Sequence, residues 1–267
     1  MTKIYAIANQ KGGVGKTTTC VNLAASLVAT KKRVLLVDLD PQGNATMGSG
    51  VNKNEIENSI YDVLTERESI HDCLVFSESG KYQVLPANGD LTAAEVEMLA
   101  LDNKERRLQN ALNQVRDQFD FILIDCPPSL NMLTLNALAA CDGVIIAMQC
   151  EYYALEGLSA LVGTINQIQK VLNPTLKIEG LLRTMYDPRN SLTNDVSAQL
   201  QQHFGDRLYR TCIPRNVRLA EAPSFGMPVL AFDRQSKGAI AYLALAGEIL
   251  RRNETINKPA AAATETL

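Results

Sequence analysis

Short apolar runs alternate with segments of helical periodicity along most of the chain. Leucine, isoleucine, valine and alanine recur at helical spacing from Leu108 to Phe119 and from Leu155 to Leu172. Alternation of strand and helix predicts an α/β fold in which a mostly parallel β-sheet is flanked by helices on both faces. The apolar runs predict these strands: Lys3–Ala8, Arg33–Asp38, Tyr82–Pro86, Phe119–Asp125, Gly143–Gln149, Ile178–Met185 and Leu208–Ile213.

The same pattern predicts one domain over residues 1–252, since the chain shows neither an internal repeat nor a linker. Residues 253–267 have few apolar anchors and contain a proline, and we expect them to form a disordered tail. No apolar run approaches the roughly 20 residues that a membrane-spanning helix needs. The tail also lacks the bulky apolar and basic faces of a membrane-binding helix. We therefore expect a soluble, cytoplasmic protein without a membrane partner.

Composition excludes several kinds of site. The six cysteines include no C-x-x-C pair, which favours reduced thiols over a metal site. With only two histidines, a histidine-based triad or zinc site is improbable. A net charge of -3 argues against a nucleic-acid binder when the chain is taken as a whole. Six arginines and no lysine between Arg183 and Arg218 nevertheless allow a local basic patch.

A glycine-rich loop joins the first predicted strand to the helical segment that follows it. Backbone N–H groups in such a loop, together with the helix N-terminus, form a cradle for phosphate. Lys16 is placed to neutralise the outer phosphates, and the Thr17 hydroxyl to ligate Mg²⁺. A second lysine, Lys11, lies at the outer lip of the loop, where its repulsion with Lys16 favours a bound polyanion. We expect these residues to bind the nucleotide: Lys11, Gly12, Gly13, Val14, Gly15, Lys16, Thr17 and Thr18.

Acidic residues close two of the predicted strands. Asp38 and Asp40 follow one apolar run, and Asp125 ends the run Phe121–Asp125, a Walker B pattern. We expect Asp38 and Asp125 to hold Mg²⁺ together with Thr17, and Asp40 to orient the attacking water. The alternative for Asp38 and Asp40 is that they only cap a turn. No N-K-x-D motif for reading guanine is present, so adenine is the favoured base.

Several segments resemble the ParA/MinD ATPases with a deviant Walker A loop, and among them the small ParA/Soj partitioning proteins. The segments are KGGVGKTT from Lys11, DLDPQGN from Asp38, FILIDCPPS from Phe121, QCEYYALEG from Gln149, and IPRNVRLAEAP from Ile213. The resemblance implies an enzyme that hydrolyses ATP to ADP and phosphate with Mg²⁺, and a P-loop NTPase fold.

The resemblance also implies roles for individual residues. Lys11, Lys16 and Asp40 take part in hydrolysis, and Lys11 reaches the partner's nucleotide across a dimer interface. That interface includes Gly12, where two backbones meet, and Glu151, which is expected to pair with Lys11. Two residues late in the chain, Met185 and Pro214, are assigned to the adenine pocket, with ordinary loop packing as the alternative.

By the same resemblance, an ATP-bound homodimer binds double-stranded DNA without sequence preference, and a ParB-type partner stimulates hydrolysis and release. Arg189 and Arg218 match positions that contact DNA in the family, and solvated surface positions or intramolecular salt bridges are their alternatives. The resemblance thus implies a nucleoid-associated protein of chromosome or plasmid partitioning. A MinD-like positioning ATPase and an ATPase similar to the iron–sulfur protein of nitrogenase remain alternatives, although the latter needs cluster-binding cysteines.

Overall fold

Eight strands of the described residues form one sheet in the order β3-β4-β2-β5-β1-β6-β7-β8. The computed structural model describes residues 1–152 and 154–257, with side chains to residue 254. All neighbouring strands run parallel except β3 and β4, which are antiparallel. The strands are β1 (Lys3–Ala8), β2 (Val34–Asp38), β3 (Val75–Ser77), β4 (Tyr82–Leu85), β5 (Phe121–Asp125), β6 (Gly143–Gln149), β7 (Lys177–Tyr186) and β8 (Leu208–Pro214).

Helices cover both faces of this sheet, which confirms the predicted α/β architecture. Side chains of a strand alternate between the two faces, so Ile4 and Ala6 join one core while Tyr5 and Ile7 join the other. The helices are α1 (Lys16–Ala29), α2 (Asn44–Gly48), α3 (Ile60–Leu64), α4 (Leu91–Leu99), α5 (Arg107–Val115), α6 (Met132–Ala140), α7 (Ala154–Val171), α8 (Ser191–Phe204), α9 (Val217–Glu221), α10 (Val229–Phe232) and α11 (Lys237–Asn257).

The seven predicted strands are all present, with ends within two residues of those predicted. β3 was not predicted, since it has three residues and pairs only at one edge of the sheet. The strand β8 forms the other edge, where unpaired N–H groups would attract a foreign strand. The Glu248 carboxylate of α11 accepts hydrogen bonds from the N–H groups of Arg210 and Thr211, both at 2.9 Å, and covers part of that edge.

The last helix extends past the predicted end of the domain. α11 continues to Asn257, because Asn253 is buried and its Oδ1 accepts a hydrogen bond of 3.0 Å from the Tyr5 hydroxyl. The predicted tail therefore begins inside a helix, and its residues 258–267 lie outside the described residues. Within the described ranges, no helix has both the length and the apolar character needed to cross a membrane.

Candidate nucleotide-binding site

The predicted phosphate loop connects β1 to α1 at the carboxyl edge of the sheet. Gly13 and Gly15 have φ angles of +73° and +88°, a left-handed conformation that favours glycine. Gly15 is also the N-cap of α1, so the N-terminus of that helix opens onto the loop. The loop is tied to the end of β7, where the Thr184 hydroxyl donates a hydrogen bond of 2.7 Å to the carbonyl oxygen of Val14. No sequence motif marked Thr184.

The two lysines of the loop have different surroundings. Lys16 is buried, and its Nζ donates to the carbonyl oxygen of Lys11 at 3.3 Å, within the curl of the loop. The Lys11 side chain is 51% exposed, and its Nζ lies 2.5 Å from Oε2 of Glu151, just beyond the end of β6. The structure therefore directs one ammonium group into the loop and the other outward, and it forms the expected pair between Lys11 and Glu151.

Asp125 and Thr17 meet beside the phosphate loop. The Thr17 hydroxyl donates a hydrogen bond of 2.7 Å to Oδ2 of Asp125. The other carboxylate oxygen of Asp125, Oδ1, is buried without a hydrogen-bond partner among the described residues. Burial and the nearby charge of Asp38 raise the pKa of Asp125 to about 8. A hydroxyl beside a buried, unpaired carboxylate oxygen fits Mg²⁺, which takes oxygen ligands and keeps several waters.

The Asp38 carboxylate accepts more hydrogen bonds from the protein than its predicted role in binding Mg²⁺ requires. Its Oδ2 accepts hydrogen bonds from the N–H and the hydroxyl of Thr46, both at 2.8 Å. Its Oδ1 accepts a third bond from the N–H of Asp40 at 3.2 Å. Burial nevertheless raises the pKa of Asp38 to about 6. Asp38 therefore holds the turn after β2, and sequence reasoning missed Thr46, which also accepts from the N–H of Ala87 at 2.9 Å.

Asp40 lies in the turn after β2 and is partly exposed. Its Oδ1 accepts a hydrogen bond of 2.9 Å from the N–H of Gln42, and its carbonyl oxygen accepts one from Gly43. The carboxylate thus caps the turn, as the local residue types indicated. Among the hydrogen bonds described for the Asp40 side chain, the one from Gln42 uses Oδ1 and none uses Oδ2. A catalytic role for Asp40 stays a prediction.

Met185 and Pro214 line the same cavity, of about 180 Å³, beside Gly15 and Thr18 of the phosphate loop. The lining is mainly apolar and includes Leu219, which suits a flat base more than a charged group. Met185 has a φ angle of +47°, which is unusual for a residue with a side chain. The structure thus brings the two predicted residues together next to the phosphate cradle.

The segment after Asp125 is held to helix α4. Asn131 is the N-cap of α6, accepting from the N–H of Thr134 at 3.2 Å, and its amide donates to the carboxylate of Glu95. The Thr134 hydroxyl donates a bond of 2.6 Å to the carbonyl oxygen of Ser129. These contacts connect α4 to the proline-containing loop that begins at Cys126, and no sequence motif indicates them.

The predicted DNA-contacting arginines form intramolecular ion pairs. Arg189 donates two side-chain hydrogen bonds, of 2.9 and 2.8 Å, to Asp187, and these bonds lower the pKa of Asp187 to about 2. Nη1 of Arg218 lies 2.7 Å from Oε2 of Glu221, and its Nε lies 3.3 Å from Oδ2 of Asp233. Both arginines remain largely exposed on the surface, 88% for the Arg189 side chain. Arg183, in contrast, does not belong to a surface patch.

Arg183 is partly buried, since it donates to the Ser197 hydroxyl at 2.7 Å and to the carbonyl oxygen of Tyr209 at 2.8 Å. The basic surface is therefore smaller than the arginine count suggested. Among the described residues, no group of three or more histidine, cysteine, aspartate or glutamate side chains could hold a metal ion. The cysteines are free, and all but the partly exposed Cys212 are buried.

Comparison with known proteins places this geometry in a family. A family model described as an AAA domain matches residues 2–178. An uncharacterized protein of Pseudomonas putida is 69% identical over 97% of this chain and 99% of its own length. The chromosome partitioning protein ParA of Myxococcus xanthus is 51% identical, over 94% of this chain and 89% of its own length. The sporulation initiation inhibitor protein Soj of Bacillus subtilis is also 51% identical, over 93% of this chain and 98% of its own length.

Solved structures share the fold over nearly the whole chain. A cobyrinic acid a,c-diamide synthase from Mycobacterium smegmatis with bound ADP and magnesium is 38% identical, with a TM-score of 0.85 over 97% of this chain and 98% of that chain. The cell division ATPase MinD of Pyrococcus furiosus is 26% identical, with a TM-score of 0.79 over 94% and 100%.

Proposed function

The chain belongs to the ParA/Soj family of chromosome-partitioning ATPases, and on this premise we propose that it is a nucleotide-gated switch for chromosome or plasmid partitioning. It hydrolyses ATP to ADP and phosphate and uses Mg²⁺. In the proposed cycle, ATP closes a homodimer, the dimer binds double-stranded DNA without sequence preference, and a ParB-type partner stimulates hydrolysis and release. The cycle makes it a cytoplasmic, nucleoid-associated protein.

The outward direction of Lys11 carries this proposal. A lysine that bound only the nucleotide phosphates of its own subunit would point into the loop, as Lys16 does. Lys11 instead extends to Glu151 at the surface. An exposed ion pair stabilises a protein by only about 0–1 kcal/mol. Lys11 can therefore leave Glu151 and pair with a phosphate of the nucleotide bound to a second subunit at little cost. We assign Gly12 to the interface as well, and within the single chain a Cβ built there would have no atom within 4 Å.

Within the site, each residue has a task that its position allows. Lys16 neutralises the outer phosphates, and the N–H groups from Gly13 to Thr18 surround them. Thr17 and Asp125 would hold Mg²⁺, and Asp38 lies opposite Asp125 on the neighbouring strand. Mg²⁺ supplies charge neutralisation on the phosphate oxygens. Asp40 orients the attacking water, and Met185 and Pro214 enclose the adenine.

Dimerisation explains how a chain with a net charge of -3 binds a polyanion. Affinity for DNA rises steeply with the number of phosphate contacts. Aligning Arg189 and Arg218 of two subunits doubles that number, while one subunit alone offers too few contacts for tight binding. Their acidic neighbours are exposed partners that phosphate oxygens can replace.

Exchange of each loop lysine for alanine tests the proposal. Lys11→Ala should bind ATP with an affinity close to that of the parent but fail to dimerise, whereas Lys16→Ala should lose ATP binding. Calorimetry measures the binding, and analytical ultracentrifugation with ATP and Mg²⁺ measures the dimer. Lys81→Ala is the control, because Lys81 is likewise exposed and ion-paired, with Glu78 at 3.0 Å. Dimerisation of Lys11→Ala at the parent's ATP concentration would show that Lys11 does not act across an interface.

A further inference from the structure

Two segments of the chain begin at the apolar cavity beside the phosphate loop and end at the arginines assigned to DNA. We call residues 185–189 the first arm and residues 214–218 the second arm. The first residue of each arm lines the cavity, and the last residue is Arg189 or Arg218. The side chains of the two arginines are 88% and 51% exposed. A base in this cavity would therefore lie between the two segments that carry the proposed DNA contacts.

A buried hydroxyl joins the first arm to the phosphate loop. Thr184 precedes the arm, is 2% exposed, and donates a hydrogen bond of 2.7 Å to the carbonyl oxygen of Val14. Farther along the arm, the Asn194 amide of α8 donates to the carbonyl oxygen of Pro188 at 2.8 Å, and the proline ring fixes its own φ angle. The backbone that leads to Arg189 is thus held by the phosphate loop at one end and by α8 at the other.

A buried amide joins the second arm to the phosphate loop through α10. Asn22 of α1 is 4% exposed, and its Nδ2 donates to the carbonyl oxygen of Thr18 at 2.7 Å. Its Oδ1 accepts a hydrogen bond, also of 2.7 Å, from the N–H of Val229, the first residue of α10. Asp233 is the C-cap of that helix, and its Oδ2 lies 3.3 Å from Nε of Arg218. A continuous series of contacts therefore leads from the phosphate loop to Arg218.

The chemistry of Thr184 and Asn22 indicates that they fix geometry and do more than fill space. Burying a polar side chain costs free energy unless it is hydrogen-bonded, and an apolar residue would fill either position without that cost. Both side chains bond main-chain groups of a different element, the Thr184 hydroxyl that of Val14 and the Asn22 amide that of Val229. Such bonds set the relative position of two backbones.

We propose that Thr184 and Asn22 are positioning residues for DNA binding, Thr184 for Arg189 and Asn22 for Arg218. This inference rests on the proposed function and concerns how its nucleotide site places its DNA surface. Each arginine is positioned within its own subunit, by a link to the loop that surrounds the phosphates, and dimer closure then brings the arginines of two subunits together. An arm without its link loses its phosphate contact, and DNA affinity falls with the number of contacts.

Removal of each link tests the assignment. Thr184→Val removes the hydroxyl and keeps the branched shape, and Asn22→Leu removes both polar atoms of the amide in the same way. Thr184→Val is expected to weaken ATP binding as well, since Thr184 contacts the loop, so gel-shift titrations use ATP concentrations that calorimetry shows to be saturating. Half-maximal DNA retention should need roughly tenfold more protein, and the log-log salt slope should flatten by about two units per dimer.

Double variants show whether each link acts through its own arginine. Thr184→Val added to Arg189→Ala should cause no further loss of DNA affinity, because the contact that Thr184 positions is already absent. Added to Arg218→Ala, it should cause its full loss. Asn22→Leu should show the opposite pattern. A residue that only supported the fold would weaken both arginine variants alike, so a purely structural role does not produce this crossed pattern.

Asn136→Leu is the matched control for the loss of a buried amide. Asn136 is fully buried, accepts from the N–H of Leu108 at 3.1 Å and donates to the carbonyl oxygen of Lys104 at 2.8 Å, but it contacts neither arm. The variant should be destabilised in urea unfolding and still retain DNA with the slope of the parent.

Two conservative variants cover the case in which a link variant fails to fold. Thr184→Ser keeps the hydroxyl, and Asn22→Asp keeps the oxygen that accepts the Val229 N–H. Both should retain DNA with the affinity and salt slope of the parent. Loss of the DNA contact in either variant, with the dimer intact, would contradict the proposal.

The outcomes separate this inference from the function on which it rests. A parent chain that does not retain DNA with ATP would overturn the proposed function and the inference with it. Link variants that bind DNA like the parent, or that weaken both arginine variants equally, would overturn the inference alone. A saturated link variant that fails to dimerise, or an Asn136→Leu chain that loses DNA to the same extent, would likewise contradict it.

Discussion

Asp38 and Asp125 lie opposite each other on the neighbouring parallel strands β2 and β5, at the last paired position of both strands. Both residues are fully buried. Burial raises the pKa of both carboxyl groups, and the charge of Asp38 raises that of Asp125 further. At these positions the two carboxyl groups destabilise the fold when both are ionised. The same pair of charges stabilises a cation that binds beside them.

We predict that Asp125→Asn stabilises the nucleotide-free chain while weakening its response to Mg²⁺ and ATP. The amide keeps an oxygen that can accept the Thr17 hydroxyl but removes the charge that faces Asp38. At pH 8 the free energy of unfolding in urea should rise by about 1 kcal/mol or more. The melting temperature should rise less than in the parent when ATP and Mg²⁺ are added.

The control for this prediction is Asp117→Asn, which removes an exposed carboxylate elsewhere and should change neither quantity. A destabilised Asp125→Asn chain with a normal Mg²⁺ response would show that Asp125 is a structural residue and not part of the metal site.

Asp40→Ala should separate nucleotide binding from hydrolysis. Because Asp40 is only partly buried in the turn after β2, its removal should leave ATP binding and dimerisation close to those of the parent. Turnover should fall at least about a hundredfold, the usual scale for a residue that orients or activates a nucleophile. The measurements are calorimetry, sedimentation and phosphate release. Gln42→Ala is the matched control in the same turn, and hydrolysis by Asp40→Ala at the parent rate would assign the water to another residue.

The strands could be predicted because buried parallel strands are continuous apolar runs, and the runs ending at Ala8, Asp38 and Asp125 contain little else. β3 could not be, since its three residues are strand only through pairing with β4. The predicted domain end fell inside α11, because the bond from Tyr5 to Asn253 joins opposite ends of the chain. Such long-range contacts leave no local pattern.

The candidate site divides in the same way. Lys16 and Asp125 could be proposed from the sequence because each stands in a spaced motif that has a chemical reason, and their roles stay predictions. Thr46, Thr184 and Glu95 were missed, because each is connected to the site by hydrogen bonds to another segment of the chain and belongs to a residue type that is common in loops and helices. Arg183 does not add to the basic patch that the arginine count allowed, and composition does not reveal that Ser197 and Tyr209 bind its guanidinium group.

Gly12→Val should block dimer closure and leave the single subunit intact. Space for the side chain exists within the subunit, since no atom lies within 4 Å of a Cβ at this position. In the proposed dimer two backbones meet at Gly12, and a β-branched side chain there would separate them. We expect measurable ATP binding and a monomer in sedimentation with ATP. Gly89→Val is the control, because its Cβ also meets no atom within 4 Å. A Gly12→Val dimer of parent affinity would remove Gly12 from the interface.

The Glu248 carboxylate should make the edge of the sheet sensitive to acid. Burial opposes its ionisation, but hydrogen bonds from Thr211, Arg210 and Arg252 outweigh it and lower the pKa of Glu248. A lowered pKa means that the contribution to stability is complete above the unfolded pKa of about 4.3 and is lost as pH falls through the folded value. Glu248→Gln should therefore lose about 1–3 kcal/mol at pH 7.

The difference between parent and Glu248→Gln should shrink as pH is lowered from 7 toward 3.5, because the protonated parent resembles the variant. Urea unfolding at a series of pH values measures it. Glu254→Gln, an exposed position on the same helix, should show no such trend. A difference independent of pH would mean that the charge of Glu248 does not stabilise the edge.

In the proposed cycle, an acidic chain binds the DNA polyanion, and we assign the phosphate contacts to Arg189 and Arg218. Arg189→Glu and Arg218→Glu should each abolish DNA retention with ATP while sparing ATP-driven dimerisation, because neither residue lies in the nucleotide site. Arg210→Glu changes the net charge equally at an exposed position near the start of β8 and serves as the control. It separates a local contact from a general effect of charge.

The salt dependence of the same gel-shift titration tests the contact more closely. Binding by the parent should weaken with salt and differ little between unrelated sequences, since phosphate contacts carry no base information. Alanine variants of Arg189 or Arg218 should flatten the log-log slope by about one unit per contact, or about two per dimer. Retention should require ATP and be absent with ADP or no nucleotide. Equal retention in all three states would contradict the nucleotide switch, whereas an Arg210→Glu chain that binds as weakly as Arg189→Glu would mean that net charge, and not these two arginines, governs binding.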